Sequence, residues 1–474
     1  MKLRKTAATL LALCLVFSLA GCAGKNEVST LGESTGAAIG AAQEAVQTGI
    51  DTTQSLADTS TTGDAGSEQS TSATSAKSTA TLQTQKAAVA GQKFSSPAAG
   101  ANDFAFRLTG ELLKSGGKSN FICSPFSVWL PLVALANATD DANRPALLNA
   151  IGAAGFSVDQ INGAAKQMLY NLTNEQSKAD GVAFVYNPLQ IANAIFVGNN
   201  MTLKKSFESA FAENFGGKAF SVDFASPQAV KTVNDWASKN TNGLIPSIVE
   251  QFAPQTVAAI ANAIYFSDRW NWEFDQNKTK KDAFHGLGGD TKADFMLREG
   301  DALTYYEDDK LQAMPLEFKT GGGLYILLPK DGDAVSLLTG MTSDKFQKII
   351  DGFGEKTGKL LLPRFQIDNG GTDLAVALQT LGVPLFDANA APLTGGLINE
   401  SIPLWLSGAV QKAKIEVDEK GTTAAAVTVI TVFTGAGPPQ PTKPFEMICN
   451  KPFAFVLYGN GGQILFTGVV NQAG

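Results

Sequence analysis

Residue types that could catalyse a reaction are sparse in this 474-residue sequence. It has one histidine, His285, which excludes a site that needs several imidazoles. A Ser-His-Asp triad would have to use His285, and no nucleophile motif accompanies it. Acidic pairs such as Asp140-Asp141 and Asp308-Asp309 are more typical of solvated loops than of acid–base catalysis. We therefore expect no enzyme, no metal site and no cofactor.

Two binding functions are also disfavoured. Gly116-Gly117-Lys118-Ser119 resembles the end of a phosphate-binding loop, but the position that needs the first glycine is Leu112, and the stretch follows a predicted helix rather than a strand. The net charge of −7 provides no basic face for nucleic acid. The sequence thus predicts neither nucleotide nor nucleic-acid binding.

The most unusual segment lies near the C-terminus. The stretch from Gly421 to Thr442 has no charged residue, in a protein in which 17% of the residues are charged. Its first part consists of small residues and its middle part of β-branched residues, which favour strands. Its last part is rich in glycine and proline. A buried strand would be shorter, and an exposed loop would be less apolar and less prone to form strands. A segment that is a loop in one state and a central strand in another satisfies both observations.

The four cysteines fall into two groups. Cys14 and Cys22 belong to an N-terminal apolar stretch, which leaves Cys123 and Cys449 far apart in the sequence. Either these two are buried free thiols, which we favour, or they form a single disulfide; sequence alone does not decide their geometry.

The N-terminus has the features of an export signal. Basic residues precede an apolar run from Ala7 to Ala20 that is too short to span a bilayer. The run ends in Leu19-Ala20-Gly21-Cys22, which looks like a bacterial lipobox. By this resemblance residues 1–21 are a lipoprotein signal peptide and Cys22 carries the lipid, which anchors the protein at the extracellular face of the cell membrane. The alternative is ordinary secretion with Cys22 incidental.

Two regions follow the signal. Residues 22–95 are rich in Ala, Ser and Thr and contain no aromatic residue before Phe94, so we predict a disordered tether. From residue 96 to 474 apolar periodicity continues, and we predict one folded domain.

Helical patterns dominate the first half of this domain and strand patterns the second. Helical spacing is found at Phe104, Leu108, Leu112 and Leu113, at Val128, Leu132 and Leu135, and at Phe207, Phe211 and Phe215. Strands are predicted at Leu324–Leu328, Lys359–Phe365, Lys414–Val417, Phe453–Tyr458 and Ile464–Val470, the last two flanking a glycine-rich hairpin turn. The order indicates an α+β architecture with mostly antiparallel strands.

Six groups of residues follow one another along the chain: Asn120, Ser124, Pro125 and Ser127; Asn234, Trp236, Thr241, Gly243 and Ile245; Asn262, Ala263, Tyr265, Phe266, Trp270, Phe274, Thr279 and Phe284; Leu362, Pro363, Arg364 and Phe365; the stretch from Glu416 to Ala426; and Phe466, Thr467, Gly468 and Asn471. In type, spacing and order they resemble the motifs of the serpin family. The resemblance covers the chain from about residue 100 onward. It implies the serpin fold, with a large central sheet, two smaller sheets and eight or nine helices.

The resemblance also implies a reactive loop over about residues 419–446. Its hinge would comprise Glu419, Gly421, Thr422, Ala424, Ala425 and Ala426. Counting from the hinge places the reactive bond at Gly435-Ala436, with Phe433-Thr434 and Thr434-Gly435 as alternatives. Counting back from Asn450 ends near Pro441, a poor protease site.

Two further groups of residues are implied to control the central sheet. The shutter would be Ser124, Ser127, Asn262 and Gln411, where Gln411 replaces the usual histidine and bonds Ser124, Ser127 or Asn262. The breach would be Trp270, Arg364 and Glu419, with Glu419 paired to Arg364.

The implied function is suicide-substrate inhibition by a monomer, with an extracellular serine protease as the main target and cysteine proteases as a second target class. The cleaved loop would insert into the central sheet and trap the covalent acyl-enzyme. Small residues around Gly435 favour an elastase-like or subtilisin-like target, whereas cleavage after Phe433 would favour a chymotrypsin-like one. Alternatives are a non-inhibitory serpin-fold surface binding protein and the solute-binding lipoprotein of a transporter.

Overall fold

The computed structural model describes residues 11–21, 93–114, 118–173, 177–179, 182–184, 189–421 and 444–474. Within them nine α-helices are found: α1 Pro97–Lys114, α2 Pro125–Ala136, α3 Arg144–Ala150, α4 Val158–Thr173, α5 Lys205–Phe215, α6 Pro227–Asn240, α7 Ala334–Thr339, α8 Ser343–Asp351 and α9 Ala375–Thr380. Two short 3-10 helices cover Gln276–Lys278 and Pro384–Phe386.

The strands of the same described residues number eighteen. They are β1 Leu11–Gly21, β2 Phe121–Cys123, β3 Ser177–Ala179, β4 Val182–Phe184, β5 Leu189–Gly198, β6 Lys218–Val222, β7 Thr256–Phe266, β8 Lys280–Gly286, β9 Gly289–Glu307, β10 Leu311–Glu317, β11 Gly323–Pro329, β12 Gly354–Pro363, β13 Phe365–Asp368, β14 Thr372–Asp373, β15 Leu404–Val417, β16 Phe445–Ile448, β17 Phe453–Tyr458 and β18 Ile464–Val470. Their number and mixture with helices agree with the predicted α+β class.

A seven-stranded sheet forms the centre of the fold. Its strand order is β13-β15-β1-β7-β5-β6, and β14 adds to the edge of β15. Strand β1 runs antiparallel to both of its neighbours, β15 on one side and β7 on the other. The sequence did not predict a strand at β1, which belongs to the segment interpreted above as a signal peptide.

The remaining long strands form a second sheet. Nine strands are joined in the order β16-β12-β9-β10-β11-β17-β18-β2, with β8 at the side of β9. The long strand β9 connects two halves, because it pairs with β8 and β12 over most of its length and with β10 at Tyr306 and Glu307. The two smaller sheets that the resemblance implied are therefore joined into one sheet through β9. A separate ribbon consists of β3 and β4.

Helices cover both faces of the central sheet. On one face α2, whose twelve residues are all buried, contributes to the main hydrophobic core together with α1 and α4. On the other face α6 packs a smaller cluster that includes Val233 and Ala237. Strand β7, at the centre, is buried at every position. This burial on both faces explains its nearly continuous apolar sequence.

Local sequence signals place these elements well. Helix α2 begins after Ser124, whose hydroxyl accepts a hydrogen bond from the Ser127 N–H at 3.4 Å, and Pro125 occupies the first turn. The predicted strands Phe453–Tyr458 and Ile464–Val470 are confirmed at the same bounds as β17 and β18. The Phe207, Phe211 and Phe215 repeat is the buried face of α5.

Candidate functional site: a strand position in the central sheet and its hinge

The centre of the site is the strand position between β7 and β15. Backbone ladders run along both edges of this position, from the Leu11–Phe266 pair to the Gly21–Leu404 pair. The occupant β1 runs antiparallel to both neighbours. A chain that leaves the C-terminal end of β15 and turns back runs in that same direction. The geometry therefore accepts a strand that follows β15 in the sequence.

The hinge that follows β15 is tightly held. Gly421 forms isolated bridges with Asp418 and with Arg269, and its φ of 117° lies in the region that favours glycine. A Cβ atom at this position would lie 2.5 Å from the Asp268 carbonyl oxygen and 2.6 Å from the Trp270 nitrogen. Glycine is therefore required here both by backbone conformation and by space.

An ion pair fixes Glu419, which lies in the turn between Asp418 and Gly421. The Arg364 guanidinium donates from Nε to both Glu419 oxygens at 2.9 Å and from Nη2 to Oε1 at 2.6 Å. The Thr279 hydroxyl donates to the same carboxylate at 2.5 Å. The expected pairing of Glu419 with Arg364 is thus present, while its role in loop insertion stays a prediction.

Charge and burial act in opposite directions on the pKa of Glu419. Burial raises the pKa of Glu419, but hydrogen bonds from Arg364 and Thr279 outweigh it, so the pKa lies below its ordinary value. The hydrogen bond to Glu419 is the main reason that the pKa of Arg364 is raised. The carboxylate is only 1% exposed, so its charge depends on these donors.

Trp270 closes the top of the sheet beneath the hinge. Its indole N–H donates to the Asp418 carbonyl at 2.9 Å, and its backbone N–H donates to the Lys420 carbonyl at 3.0 Å. The fully buried ring stacks on Phe318 with centroids 4.8 Å apart. Trp270, Arg364 and Glu419 therefore surround one turn of the chain, as the resemblance implies for the breach.

Asp268 is a residue of this region that the sequence reasoning missed. Its buried carboxylate accepts hydrogen bonds from the Arg269 N–H at 2.7 Å and from the Thr320 hydroxyl. Burial raises the pKa of Asp268 to about 6, against the effect of these bonds. An acidic residue directly after the apolar strand β7 was the available signal.

A row of buried amides crosses the sheet below the hinge. Asn262 of β7 and Gln411 of β15 both lie opposite Leu15 of β1. Asn262 accepts a hydrogen bond from the Ser127 hydroxyl and donates to Asn193 Oδ1 at 2.7 Å. These contacts tie the sheet to the start of α2.

Gln411 forms hydrogen bonds with Ser124, another of the predicted shutter residues. Its Oε1 accepts from the Ser124 N–H at 3.0 Å, and its Nε2 donates to the Ser124 carbonyl at 3.0 Å. Of the partners proposed for Gln411, the structure thus shows Ser124 through its backbone; Ser127 bonds Asn262 instead. The strand β1 lies between Gln411 and Asn262.

Asn193 completes the row and was not foreseen. It lies opposite Asn262 in the β5–β7 ladder, is buried, and donates to the Phe215 carbonyl at 2.8 Å. An asparagine inside the otherwise apolar run from Ile191 to Val197 of β5 was the signal that could have found it.

The cysteines of the folded domain are buried free thiols, as favoured above. Cys123 lies 3.2 Å from Thr467 Oγ1, and burial raises its pKa to about 11. Burial also raises the pKa of Cys449. Neither thiol has the exposure or the lowered pKa of a reactive cysteine.

The structure gives no sign of a catalytic or metal site in the part of the chain that it describes. His285 is exposed, and its Nδ1 lies 3.0 Å from Asp290. No group of three or more metal-ligating side chains occurs in those ranges. Among the described helices none combines the length and apolar character needed to cross a bilayer.

Several predicted residues lie outside the described ranges. They are the hinge residues Thr422, Ala424, Ala425 and Ala426, the bond residues Gly435 and Ala436 with the alternatives Phe433 and Thr434, the lipidation residue Cys22, and nearly all of the tether predicted at 22–95. These predictions stand as they were made.

Comparisons with known proteins identify the class. The family model described as "Serpin (serine protease inhibitor)" matches residues 99–473. Serpin-Z7 of Hordeum vulgare is 30% identical to this chain over 370 residues. The aligned region covers 75% of this chain and 90% of Serpin-Z7. The chain therefore belongs to the serpin family, which is described as one of serine protease inhibitors, and such inhibitors are not enzymes.

Solved structures show the same fold. Serpin48, described as a highly specific serpin of the insect Tenebrio molitor, matches with a TM-score of 0.66 and 27% identity, covering 80% of this chain and 98% of its own. Human thyroxine-binding globulin, solved in complex with thyroxine, matches with a TM-score of 0.67 and 22% identity, covering 79% of this chain and 98% of its own. The second likeness concerns the fold alone.

Proposed function

We propose that this serpin is a suicide-substrate inhibitor that traps serine proteases by inserting its cleaved reactive loop between β7 and β15. The observation that carries the proposal is the strand position itself. It has a partner edge on each side, and β15 leads directly into the hinge at Gly421. The uncharged segment that follows the hinge is of the type that such a position accepts.

The register supports the proposed cleavage point. Continuing the ladder from the Asp418–Gly421 bridge pairs Val417 with residue 422 and ends with residue 435 opposite Leu404, the first residue of β15. If the inserted strand passes over Ser407, as β1 does, residue 434 takes that place. The length of the slot thus agrees with cleavage at Gly435-Ala436 or at the neighbouring Thr434-Gly435.

Side-chain direction supports the same arrangement. Val417 is buried in the main core, and directly paired residues of two strands lie on the same face. Residues 422, 424, 426, 428 and 430 would therefore face the core, and none of them is charged. A charge on that face would cost several kcal/mol.

The proposed chemistry follows ordinary acyl transfer until its last step. The protease serine oxygen attacks the carbonyl carbon of Gly435, and the bond to the Ala436 nitrogen breaks as that nitrogen takes up a proton. Deacylation would need water to reach the resulting ester. Insertion of the freed loop carries the enzyme away and distorts its active site before this occurs.

The free energy of insertion is of the required size. About a dozen residues that gain ladder hydrogen bonds at ~1 kcal/mol each contribute ~10 kcal/mol before side-chain burial. This is comparable to the whole stability of a typical domain. Insertion is therefore effectively irreversible.

The small residues around the bond indicate the target class. An elastase-like or subtilisin-like protease accepts glycine or alanine beside the scissile bond, and we propose such an enzyme outside the cell. We further propose that lipid on Cys22 anchors a monomeric inhibitor to the extracellular face of the membrane. Incorporation of labelled fatty acid, and its loss in Cys22→Ser, tests the anchor.

The experiment for the main proposal uses a matched pair of variants. The chain from residue 23 onward is mixed with elastase or subtilisin, and a complex that resists denaturant is sought on a gel. Thr422→Arg places a charge on the core face and should convert the inhibitor into a substrate. Thr423→Arg should still inhibit, because the continued register places residue 423 opposite the partly exposed Glu416 on the other face.

Two results would contradict trapping. One is a cleaved loop without any covalent complex in the unsubstituted chain, which would favour the non-inhibitory serpin-fold binding protein. The other is equal inhibition by the Thr422→Arg and Thr423→Arg variants. The mass of the released C-terminal peptide locates the bond.

A further inference from the structure

The N-terminal strand β1 is integrated into the fold like a core strand. It is paired over eleven residues, and its edges contact β7 and β15 along the whole slot. Phe17 and Leu19 are 0% exposed and Val16 is 3% exposed. Pairing on both edges and burial on both faces are typical of a permanent central strand.

The side chains of β1 alternate between the two cores. Phe17 and Leu19 belong to the main core beneath α2, whereas Val16 packs into the cluster under α6. The segment therefore fits the sheet in one register. A shift by one residue would exchange the two faces.

The reactive loop would need the same positions. Phe17 lies opposite Ala409, the residue that the register continued from the hinge pairs with Ile430. Leu19 lies opposite Leu406, which would face Val432 once Ser407 is passed over. Phe17 and Leu19 of β1 thus correspond to the apolar β-branched residues Ile430 and Val432 of the loop. The two segments exclude each other from one strand position.

We propose that residues 11–21, while they remain attached to the chain, block loop insertion by occupying the slot, and that their removal at Cys22 arms the inhibitor. This inference rests on the proposed function. It assigns to the slot a second occupant, an apolar peptide from the chain's own N-terminus. A precursor that folded before export would consequently spare proteases inside the cell.

The test compares two forms of the protein. The full chain, 1–474, is produced with Cys22→Ser so that the leader, residues 1–21, stays attached, and the mass of the protein is verified. The second form begins at residue 23. For both forms, covalent complex with subtilisin is measured, together with hydrogen exchange of β7 and, in the full chain, of residues 11–21.

The expected difference is large. The full chain should form at least tenfold less complex than the shorter chain and should be cleaved as a substrate. In the full chain, amides of residues 11–21 should be protected, and those of β7 should exchange more slowly than in the shorter chain. The thermal midpoint of the full chain should be the higher by more than about 5 °C.

Matched substitutions in the leader separate blocking from other effects of an apolar extension. Phe17→Asp places a charge in the main core and should restore complex formation to the full chain. Ser18→Asp adds the same charge at the neighbouring, partly exposed position and should leave the block in place.

The outcomes distinguish this inference from the proposed function. If the full chain and the shorter chain form equal amounts of complex, or if residues 11–21 exchange like an unstructured peptide, the leader does not block and the proposed function stands. If neither form makes any complex, loop trapping is wrong and the blocking role is wrong with it.

Discussion

Arg364 and Glu419 form a bidentate ion pair that joins the start of β13 to the turn after β15. The Arg364 side chain is 43% exposed and the Glu419 side chain 1%. Removal of the arginine therefore leaves a carboxylate that is shielded from water and has lost its main donors. This asymmetry determines how the pair should respond to substitution.

We expect Arg364→Gln to destabilise the fold by about 2 kcal/mol, less than a fully buried pair would lose because water reaches the arginine side. Urea unfolding of the chain from residue 23 measures the change. Lys359→Gln is the control, since its pair with Glu446 is exposed on both sides and should contribute under ~0.5 kcal/mol. Equal effects of the two substitutions would show that burial of Glu419 adds nothing.

The same pair predicts a loss of stability in acid. The pKa of Glu419 is lower in the folded state than in the unfolded state, so its contribution is present above the unfolded value near 4.5 and is lost as pH falls through the folded pKa. Unfolding free energies measured from pH 6 to pH 3 should fall less steeply for Glu419→Gln than for the original chain. Parallel profiles would contradict the assignment.

Asp268 predicts a pH effect of opposite sign. Its pKa is raised to about 6 in the folded state, so the folded state binds more protons than the unfolded state between pH 3.8 and 6, and stability decreases as pH rises through this window. The rise in the pKa of Asp268 from 3.8 to about 6 corresponds to about 3 kcal/mol. Asp268→Asn should remove this slope, as measured by thermal unfolding at a series of pH values.

Gly421 should tolerate no larger residue. Gly421→Ala introduces both the strain of a φ near 117° and a Cβ against the backbone of Asp268 and Trp270. Gly289→Ala is a matched control, because its φ is 110° and nothing lies within 4 Å of its Cβ. We expect about 1–2 kcal/mol for the control and clearly more for Gly421→Ala. Similar unfolding free energies would mean that the hinge relaxes around the methyl group.

Gln411 should be required for its two bonds to Ser124. Gln411→Leu leaves the Ser124 N–H and carbonyl without these partners and should cost about 2–4 kcal/mol. Lys412→Leu, at the adjacent and partly exposed position, should change stability by less than ~0.5 kcal/mol. Differential scanning calorimetry of both variants provides the comparison.

The two thiols of the folded domain should not react until the protein unfolds. Cys123 and Cys449 are buried and their pKa values are raised, so the thiolate is scarce at neutral pH. In the chain from residue 23, Ellman's reagent should titrate no thiol under native conditions and two in guanidinium. Rapid reaction of the folded protein would contradict their burial.

Much of the fold could be read from local patterns. The strands Phe453–Tyr458 and Ile464–Val470 are apolar runs around a glycine turn, and α2 has a serine cap, a proline in its first turn and helical spacing. Such signals depend on residues that lie close together in the chain, so they can be read from the sequence alone. The resemblance to the serpins likewise rested on six motifs in order, and the family match extends from residue 99 to 473.

What the sequence by itself determined is the type of those elements that have a clear local pattern, such as α2, β17 and β18, and the absence of charge from Gly421 to Thr442. The tertiary structure decided which distant groups meet. It paired Asn193 with Asn262, placed Asp268 beneath the hinge, and set β1 between β7 and β15. Strand neighbours and buried charges depend on which edges come together in space, and an apolar run such as Leu11–Gly21 satisfies any edge that matches its alternation. For that reason only the folded chain could show that Leu11–Gly21 occupies the strand position that we propose for the reactive loop.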